Sequence, residues 1–446
     1  MPALFDLFRQ QLLPKLIRVI GFSRRPLSQS AFREMMKKAV SPKEGWDGFA
    51  KILHYHQGTF EDSSGYKKLA ARIGKADRDW KGCINALFYL ATPPTFYKQI
   101  LEHLASSGLM EACSPQEGWT RILVEKPFGK DLASAQKLDR KLGELFREEQ
   151  IFRIDHFLGK ETIQNIMAFR FGNPIFEPIW NRTYVERVEV RLLETLGIEG
   201  RGAFYDGIGA LRDVGQNHLL QMVALTAMEP PASFEPEAVR NERVKVFQSI
   251  RCIEPSDVGR YTVRGQHSGY TDEEGVSSRS HTETYFRIKF FINNTRWEDV
   301  PFFLESGKRL DRDLTEVSVF FHEIAHHLFP HQPKQFEQNI LRLRIQPDEA
   351  ISLRLLVKRP GIAMQLDPQE LRFDYRSSFE ERFVEAYEKV LLDCIAGDQT
   401  IFARSDGIEA SWEFITKIIH GWQKDGAPLH VYEPGSSGPK AKDTLA

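Results

Sequence analysis

The sequence predicts an α/β unit followed by a larger α+β unit, and three observations support this fold class. The chain has 446 residues, which exceeds the usual size of a single domain. Before about residue 180, short apolar runs alternate with helical stretches, as in a parallel sheet. Beyond that point the runs alternate apolar with polar residues, which is typical of an antiparallel sheet with one solvated face.

The first unit is predicted to begin with an amphipathic helix that ends near Pro14, because apolar side chains recur at helical spacing at Leu4, Leu7, Phe8 and Leu12. Apolar and β-branched runs then predict buried parallel strands at 17–25, 84–91 and 121–129. Helices are predicted between and after them, at 30–40, 95–107 and 131–146.

The second unit carries the alternating strands, predicted at 185–194, 282–292, 315–321, 339–346 and 350–360. Helices are predicted among them at 209–228 and 376–397. The tail at 433–446 is rich in Gly, Ser and Pro, so its composition predicts disorder.

Composition excludes several classes of protein. Lys and Arg total 60 against 61 Asp and Glu, so a nucleic-acid partner bound through bulk charge is not expected. The cysteines are scattered without a CxxC pair, which argues against zinc ribbons and disulfide scaffolds and fits a reducing cytoplasm. No apolar run approaches the roughly 18 residues that span a bilayer, so no membrane partner is expected.

The segment RIDHFLGKE, at 153–161, packs Arg, Asp, His, Lys and Glu closely around Phe157, Leu158 and Gly159. Buried charge is costly unless it is paired, so this density favours a lined pocket. A solvated loop remains the alternative interpretation.

The segment RDVGQNHLLQM, at 212–222, lies within a predicted helix. Asp213 and Asn217 are four residues apart and share one face, with His218 adjacent. A lone helical histidine is usually structural, but it becomes a credible general base when a carboxylate fixes its tautomer. Asp155 is a candidate for that carboxylate, although sequence spacing does not establish the contact.

Three further segments carry candidate residues. EKPFG, at 125–129, follows a predicted strand at the edge where open α/β sheets bind ligands, and its Lys126–Pro127 step could be cis. ESGKRL, at 305–310, presents Lys308 after a glycine as a phosphate contact. The first strand ends in Ser23 and Arg24 with no acid, which in a dinucleotide fold favours the 2′-phosphate of NADP.

HEIAH, at 322–326, matches the zinc-peptidase pattern, but the pattern requires a helix. The preceding TEVSVFF is typical of a strand, and Pro330 and Pro333 leave little room for a helix afterwards. No metal site is therefore predicted, and a zinc peptidase is disfavoured.

With these motifs, together with FYLATPP and GRGAFYDGIGALRDV, the chain resembles the glucose-6-phosphate dehydrogenase family. The resemblance extends from Met1 to roughly Phe329 and more loosely to about Tyr432. It implies an incomplete Rossmann-type NADP-binding domain over 1–155 and an α+β substrate and oligomerisation domain over 156–432, before the tail at 433–446.

The resemblance also implies a reaction, in which glucose 6-phosphate is oxidised at C1 to 6-phosphogluconolactone with hydride transfer to NADP. This reaction opens the oxidative pentose phosphate pathway. The family's proteins are cytoplasmic and form homodimers or homotetramers.

Each motif residue acquires an implied role. His218 is the general base for the C1 hydroxyl, and Asp155 is the carboxylate that orients it. Substrate ligands are implied for the phosphate at His156 and Lys160, for the sugar hydroxyls at Glu194 and Asp213, and additionally at Lys308 and Lys126. Coenzyme contacts are implied at Arg24, Lys126 and Tyr97.

The sequence departs from the family's pattern in three places. Phe157 stands where the family commonly has Tyr, and Asp313 where a second basic substrate residue is often found. The family's opening strand and GxxGDLA loop do not precede the first helix. We therefore expect the strands at 17–22 and 84–91 to lack their shared partner, NADP binding to be weak, and Met1 to be an internal methionine or the chain a crippled version.

Two other functions are compatible with parts of the sequence. An oxidoreductase of the inositol-dehydrogenase-like type would also pair an EKP motif with an antiparallel-sheet domain, but the joint presence of RIDHFLGKE and QNHLLQM argues against it. A non-catalytic oligomerisation or regulatory relative that lost coenzyme binding is the alternative from another class.

Overall fold

The computed structural model describes residues 1–42, 44–80, 83–111, 118–323, 338–424 and 426–445. The chain divides into two compact units. Unit 1 contains Met1–Gly129, Ala133–Lys160 and Val384–Ser405. Unit 2 contains Lys130–Leu132, Glu161–Phe383 and Asp406–Ala446. The division differs from the boundary expected after residue 155, because unit 1 continues to Lys160 and regains a late segment of the chain.

Unit 1 is built on short parallel strands, as predicted. They are β1 Val19–Ser23, β2 Leu53–Gln57, β3 Ala86–Leu90, β4 Thr120–Val124 and β5 Ile151–Arg153. β1 pairs with β2, and β3, β4 and β5 form a second sheet. The expected break is observed, since β1 and β3 lie in separate sheets. β2 was not predicted, because LHYHQ carries two histidines and lacks an apolar run.

Helices surround these strands: α1 Pro2–Arg9, α2 Gln29–Val40, α3 Trp46–Ile52, α4 Ser63–Trp80, α5 Tyr97–Ser106 and α6 Leu132–Leu145. α1 ends earlier than predicted, and its Phe5 packs in a core cluster with Phe32, Phe49 and Leu53.

The late segment Val384–Ser405 joins unit 1 through contacts with the second sheet. Arg121 of β4 donates to the carbonyl oxygens of Cys394 and Ile395 at 2.7 and 2.8 Å. The Phe152 ring of β5 meets Phe402 edge to face at 4.8 Å between centroids. These contacts are long-range, so the sequence pattern did not indicate them.

Unit 2 contains a nine-stranded, mostly antiparallel sheet. Its strands are β6 Val185–Leu193, β7 Thr262–His267, β8 Tyr285–Phe290, β9 Phe302–Gly307, β10 Leu314–Phe321, β11 Ile340–Gln346, β12 Ala350–Lys358, β13 Leu366–Asp374 and β14 Leu429–Tyr432. The order is β13-β12-β11-β10-β6-β9-β8-β7-β14. Two pairs are parallel, β6 with β9 and β7 with β14.

The helices described after residue 160 begin with α7 Glu161–Gly172, α8 Gly202–Tyr205, a π-helix Leu211–Leu219, α9 Leu220–Ala227, α10 Pro236–Ser249 and α11 Val258–Tyr261. They continue with α12 Tyr375–Ser378, α13 Ala386–Ala396, which belongs to unit 1, and α14 Ser405–Gln423. None of the helices in the described part of the chain combines the length and apolarity needed to cross a membrane.

Two predictions for the C-terminal third were wrong. The helix predicted at 376–397 is interrupted, because Phe379 adopts an extended conformation and packs its ring against Phe373 and Tyr375. The tail predicted to be disordered is folded through residue 445 and contains a 3-10 helix, Lys440–Leu445. Leu445 is buried in a core cluster of unit 2, which offsets the polar composition of the segment.

The expectation of reduced cysteines also differs from the structure. Cys83 is disulfide-bonded, whereas Cys252 and Cys394 are free. Disulfide formation depends on the distance and direction between two side chains, which scattered sequence positions do not reveal.

Candidate active site

The segment that follows β5 carries the acidic and basic residues of the RIDHFLGKE motif. Asp155 is 3% exposed and caps a 3-10 helix, His156–Gly159. Its Oδ1 accepts the backbone N–H of Phe157 at 3.0 Å, and its carbonyl oxygen accepts that of Leu158 at 3.0 Å. Because the cap is made within the motif itself, the local sequence fixes the Asp155 carboxylate.

The His156 and Lys160 side chains lie against aromatic rings. The His156 ring stacks on Tyr387 with centroids 5.9 Å apart, and Lys160 Nζ lies 4.5 Å from the Phe157 ring centroid. Gly159 approaches α13 so closely that a Cβ atom would lie 2.7 Å from the Ala386 carbonyl oxygen. The motif therefore depends on α13, and Tyr387 is a site residue that sequence reasoning missed.

Glu125 joins three tyrosines at the end of β4. Its Oε1 accepts the hydroxyls of Tyr89 and Tyr387, and its carbonyl oxygen accepts that of Tyr97 at 3.1 Å. Burial, followed by the Glu125 charge, raises the pKa of Tyr97 to about 12. Lys126 is the next residue, and the Lys126–Pro127 bond is cis, as the sequence suggested. The structure thus brings Tyr97 to the strand end that carries Lys126.

Arg24 lies at the carboxyl end of β1 with its side chain exposed. The turn around it is fixed by Tyr55, whose hydroxyl donates to the carbonyl oxygens of Ser23 and Arg25. Within the described ranges, the Arg24 guanidinium forms no hydrogen bond or ion pair, and only its carbonyl oxygen is used, by Gln57 at 3.5 Å. The structure describes no contact between Arg24 and the Tyr97–Lys126 group.

In unit 2, Asp213 and His218 lie on the π-helix rather than on the predicted α-helix. Asn217 Nδ2 donates to the carbonyl oxygens of Asp213 and Arg212 at 2.9 and 3.3 Å, and its Oδ1 accepts the His218 N–H at 2.7 Å. The Asn217 amide thus forms hydrogen bonds with backbone groups of the π-helix, whose turns are wider than those of an α-helix. π-helical segments are rare and occur mainly at functional sites.

His218 itself is buried, with 2% of its surface exposed. Close packing supports the helix here, since a Cβ on Gly215 would lie 2.9 Å from the Phe286 ring. Asn217 thus contacts the backbone carbonyl of Asp213, four residues earlier in the same helix.

Glu194 and Lys308 form an ion pair at the carboxyl ends of β6 and β9, two central strands of the sheet. Glu194 directly follows β6 and Lys308 directly follows β9, and these strands pair in parallel up to Leu193 and Gly307. Lys308 Nζ is 2.7 Å from Glu194 Oε2, and Lys308 is 4% exposed. The parallel register therefore places both predicted substrate residues at one point.

Asp313, which departs from the family's basic residue, has a structural partner. Its carboxylate accepts the Thr195 N–H at 2.8 Å and the Thr195 hydroxyl at 2.9 Å. Thr195 directly follows Glu194, so Asp313 fixes the chain beside the Glu194–Lys308 pair.

Tyr205 is a second residue that sequence reasoning missed, although it lies in the quoted segment GRGAFYDGIGALRDV. Lys308 Nζ is 5.6 Å from its ring centroid. Burial raises the pKa of Tyr205 well above the ordinary value, and the charges of Asp213 and Glu283 act in the same direction. Tyr205 thus lies near both Lys308 and Asp213.

The structure therefore presents two sets of predicted residues. Asp155, His156 and Lys160 share a segment of unit 1, where Tyr97 and Lys126 meet at Glu125. Glu194 pairs with Lys308 in unit 2, where Asp213 and His218 share the π-helix. Because Asp155 and His218 belong to different units, their pairing stays a prediction.

The HEIAH segment falls partly outside the described residues, which include His322 and Glu323 but not 324–326. The strand expected before it is observed as β10. His322 follows that strand and is exposed, with its ring nitrogen 3.3 Å from the Arg182 carbonyl oxygen.

Two domain families match the chain. The NAD binding domain of glucose-6-phosphate dehydrogenase matches residues 1–165, and the C-terminal domain of glucose-6-phosphate dehydrogenase matches residues 167–446. The glucose-6-phosphate 1-dehydrogenase of Treponema pallidum is 41% identical, with 100% of this chain and 90% of that protein covered.

Two solved structures are also similar to this chain. One is a glucose-6-phosphate dehydrogenase in complex with its substrate glucose-6-phosphate, with 35% identity and a TM-score of 0.91 over 100% of this chain and 93% of that one. The other is the glucose-6-phosphate 1-dehydrogenase of Mycobacterium avium, with 33% identity and a TM-score of 0.85 at the same coverage.

Proposed function

This chain belongs to the glucose-6-phosphate dehydrogenase family, and from that premise we propose that it oxidises glucose 6-phosphate at C1 to 6-phosphogluconolactone. The observation that carries the proposal is the family match over both units, which includes the RIDHFLGKE and QNHLLQM motifs. The reaction removes a proton from the C1 hydroxyl and a hydride from C1.

NADP is the coenzyme of the proposal, and the residues at the carboxyl ends of β1 and β4 fit it. Arg24 offers an exposed guanidinium that is not engaged by other described side chains, which suits the 2′-phosphate of NADP. Tyr97 and Lys126 would lie nearer the reacting end. When bound, NADP accepts the hydride from C1.

His218 is the proposed general base, and it accepts the proton of the C1 hydroxyl. His218 is buried, so the imidazolium that forms when it takes up the proton must be compensated by a nearby carboxylate. Asp155 is the proposed carboxylate, which orients the imidazole and stabilises its protonated form. The capped, buried position of Asp155 favours this role over a solvated one.

The phosphate and the hexose ring would be bound by different sets of residues. Lys160 offers an ammonium and His156 an imidazole on a segment that α13 contacts, so they suit the phosphate. Glu194, Asp213 and Lys308 suit the sugar hydroxyls. Glu194 and Lys308 pair with each other at 2.7 Å, so both side chains are held at one point of the proposed sugar site.

The base and its orienting carboxylate are tested by His218→Ala and Asp155→Asn, assayed as NADPH formation from glucose 6-phosphate. We expect His218→Ala to lower kcat at least about 100-fold while binding of the sugar phosphate persists, since general-base catalysis contributes about 10²–10⁴-fold. Asp155→Asn should lower kcat as well. His420→Ala is the matched control, because His420 is exposed on α14. Near-normal turnover in His218→Ala would remove it from the mechanism.

The coenzyme preference is tested by Arg24→Ala, with Arg25→Ala as the control at the neighbouring exposed position. A hydrogen bond to a charged group contributes about 1.5–3 kcal/mol, so Arg24→Ala should weaken NADP binding about 10- to 100-fold. NAD lacks the 2′-phosphate and should be affected little. Equal losses for the two coenzymes would show that Arg24 has a structural role.

A homodimer or homotetramer is part of the proposal, and the β12–β13 hairpin supports it. β13 is a terminal strand of the described sheet, and large apolar side chains are exposed on the hairpin at Val357, Ile362, Met364, Leu371 and Phe373. Exposed apolar patches of this kind usually mark interaction surfaces.

A cytoplasmic location is also proposed, because a charged sugar phosphate and NADP do not cross membranes unaided. Cell fractionation checks this location.

Light scattering after size exclusion tests the oligomer. Leu371→Glu places a charge on the hairpin and should reduce the assembly to monomers, because burying an unpaired charge is costly. Phe234→Glu is the control, since Phe234 is exposed at 71% in unit 2 but outside the hairpin. A monomeric unaltered protein would refute the assembly.

A further inference from the structure

The hydroxyl of Tyr205 is buried without a hydrogen-bond partner in the described part of the chain. Tyr205 ends α8, and 2% of its surface is exposed. A buried tyrosine usually finds a partner for its hydroxyl, and a buried polar group without one requires an explanation.

The surroundings of this hydroxyl are not uniformly apolar. One neighbour of the ring is the Lys308 ammonium, 5.6 Å from the centroid, which pairs with Glu194 at 2.7 Å. Another neighbour of the ring is Tyr270, whose ring meets Tyr205 at 6.3 Å between centroids in a T-shaped arrangement. Tyr270 differs in one respect, since its own hydroxyl donates to Asp206 at 3.3 Å.

Burial, together with nearby negative charges, keeps the Tyr205 hydroxyl protonated. Burial raises its pKa well above the ordinary value, and the nearby carboxylates of Asp213 and Glu283 raise it further. Glu283 Oε1 already accepts the N–H of Leu211 at 3.1 Å. The Tyr205 hydroxyl is therefore a neutral hydrogen-bond donor near Asp213 and Lys308.

We propose that Tyr205 is a specificity-determining residue of the sugar site, whose hydroxyl donates a hydrogen bond to one ring hydroxyl of the hexose. This inference rests on the proposed function, which assigns Asp213 and Lys308 to the sugar hydroxyls. Binding of the sugar gives the buried Tyr205 hydroxyl the partner that it lacks among the described residues of the free protein. The ring supports Lys308, and the hydroxyl selects the substrate.

Tyr205→Phe tests the hydroxyl because it keeps the ring. We expect glucose 6-phosphate to bind about 3- to 10-fold more weakly, by calorimetry and by KM, with kcat unchanged within about twofold. The 2-deoxy, 3-deoxy and 4-deoxy analogues of glucose 6-phosphate locate the contact. For one of them the unaltered protein and the variant should bind equally, because either change removes the same hydrogen bond.

The free protein provides a second readout that does not depend on activity. Removing a buried hydroxyl that has no partner should raise the Tm of the substrate-free protein by about 1–3 °C. Tyr270→Phe is the matched control, since it removes a hydrogen bond that is present. It should lower the Tm and leave binding of the sugar phosphate unchanged.

Three results would overturn the role of Tyr205. They are unchanged binding of glucose 6-phosphate by Tyr205→Phe, an equal loss for every deoxy analogue, and a fall in the Tm of the free variant. The last result would mean that the hydroxyl has a structural partner. If the unaltered chain does not bind glucose 6-phosphate in the calorimeter, the proposed function fails together with this inference. If the unaltered chain binds it and only the predictions for Tyr205→Phe fail, the proposed function remains intact.

Discussion

The segment Asp155–Lys160 and the Glu194–Lys308 pair assemble their charges in opposite ways. In the first, the charged residues are neighbours in the chain, and a 3-10 helix with its own cap orients them. In the second, the partners are 114 residues apart and meet through the parallel register of β6 and β9. Residues that a motif brings together can be recognised as neighbours from the sequence, while the contact between Glu194 and Lys308 can be recognised only after the strands are paired.

The two regions also differ in how deeply the charges are buried. His156 and Lys160 are half-buried and contact the rings of Tyr387 and Phe157. Lys308 is paired with a carboxylate and is almost fully buried. Removing a charge should therefore have different consequences for folding in the two units, although both charges are assigned to substrate.

The largest expected effect concerns Arg153, which precedes the unit 1 segment. Its guanidinium is 3% exposed and contacts Glu148 at 2.8 Å and Asp139 at 2.7 Å. Arg153→Met should lower the free energy of unfolding by about 2–4 kcal/mol, because both carboxylates lose a buried cation. Denaturant titration measures it, with the exposed Arg147→Met as the control. No loss of stability would show that the segment is fixed by its cap alone.

The comparison of the two lysines is the next test. Lys308→Met leaves Glu194 beside an apolar side chain, and since Glu194 is partly exposed we expect a loss of about 1–3 kcal/mol in unfolding free energy. Lys160 is only half-buried, so Lys160→Met should lower the unfolding free energy less than Lys308→Met does. Both variants should bind glucose 6-phosphate weakly. Equal stabilities would contradict the distinction between the two regions.

Asp206, in unit 2, makes the free energy of unfolding depend on pH. Burial acts to raise its pKa, but hydrogen bonds from Ser280 and Thr282 outweigh it and hold the pKa below the ordinary value. A lowered folded pKa means that this stabilisation is present above about pH 4 and is lost as the pH falls through the folded pKa. Asp206→Asn should therefore cost about 1 kcal/mol at pH 7 and flatten the acid limb of the stability curve. An unchanged acid limb would contradict this.

The smallest expected effect is a gain in affinity for the phosphate group of the substrate. Phe157→Tyr adds a hydroxyl to a ring that lies beneath the Lys160 ammonium. It should lower KM for glucose 6-phosphate about 2- to 10-fold and leave KM for glucose unchanged, because only the phosphorylated sugar offers the charged acceptor. If both sugars respond alike, residue 157 does not face the phosphate.

Local patterns predicted much of the fold. Period-two alternation located β6, β8, β10, β11 and β12, and short apolar runs located β1, β3 and β4. Such patterns work because a strand must bury one face or both, and that requirement is written into consecutive residues. β2 was not predicted because only Leu53 of its five residues is buried and the other four include two histidines and a glutamine.

The errors lie where distant segments decide the conformation. The tail is ordered because Leu445 enters a core built by β6, β7 and β8, and the predicted helix at 376–397 stops because Phe379 packs against Phe373. The π-helix differs from an α-helix by one residue in hydrogen-bond register, and the Asn217 amide and the packing of Gly215 favour the wider turn. Composition and periodicity do not record these contacts.

By itself the sequence determined the two-unit α/β and α+β organisation, the cluster of charged residues at 153–161 and the strand ends that carry Arg24 and Lys126. Only the tertiary structure decided which residues support them: Tyr387 against His156, Glu194 against Lys308, and Tyr205 beside Lys308. The physical reason is that caps, turns and burial patterns act over a few neighbouring residues. Side chains far apart in the chain meet only when strand register and helix packing bring them together.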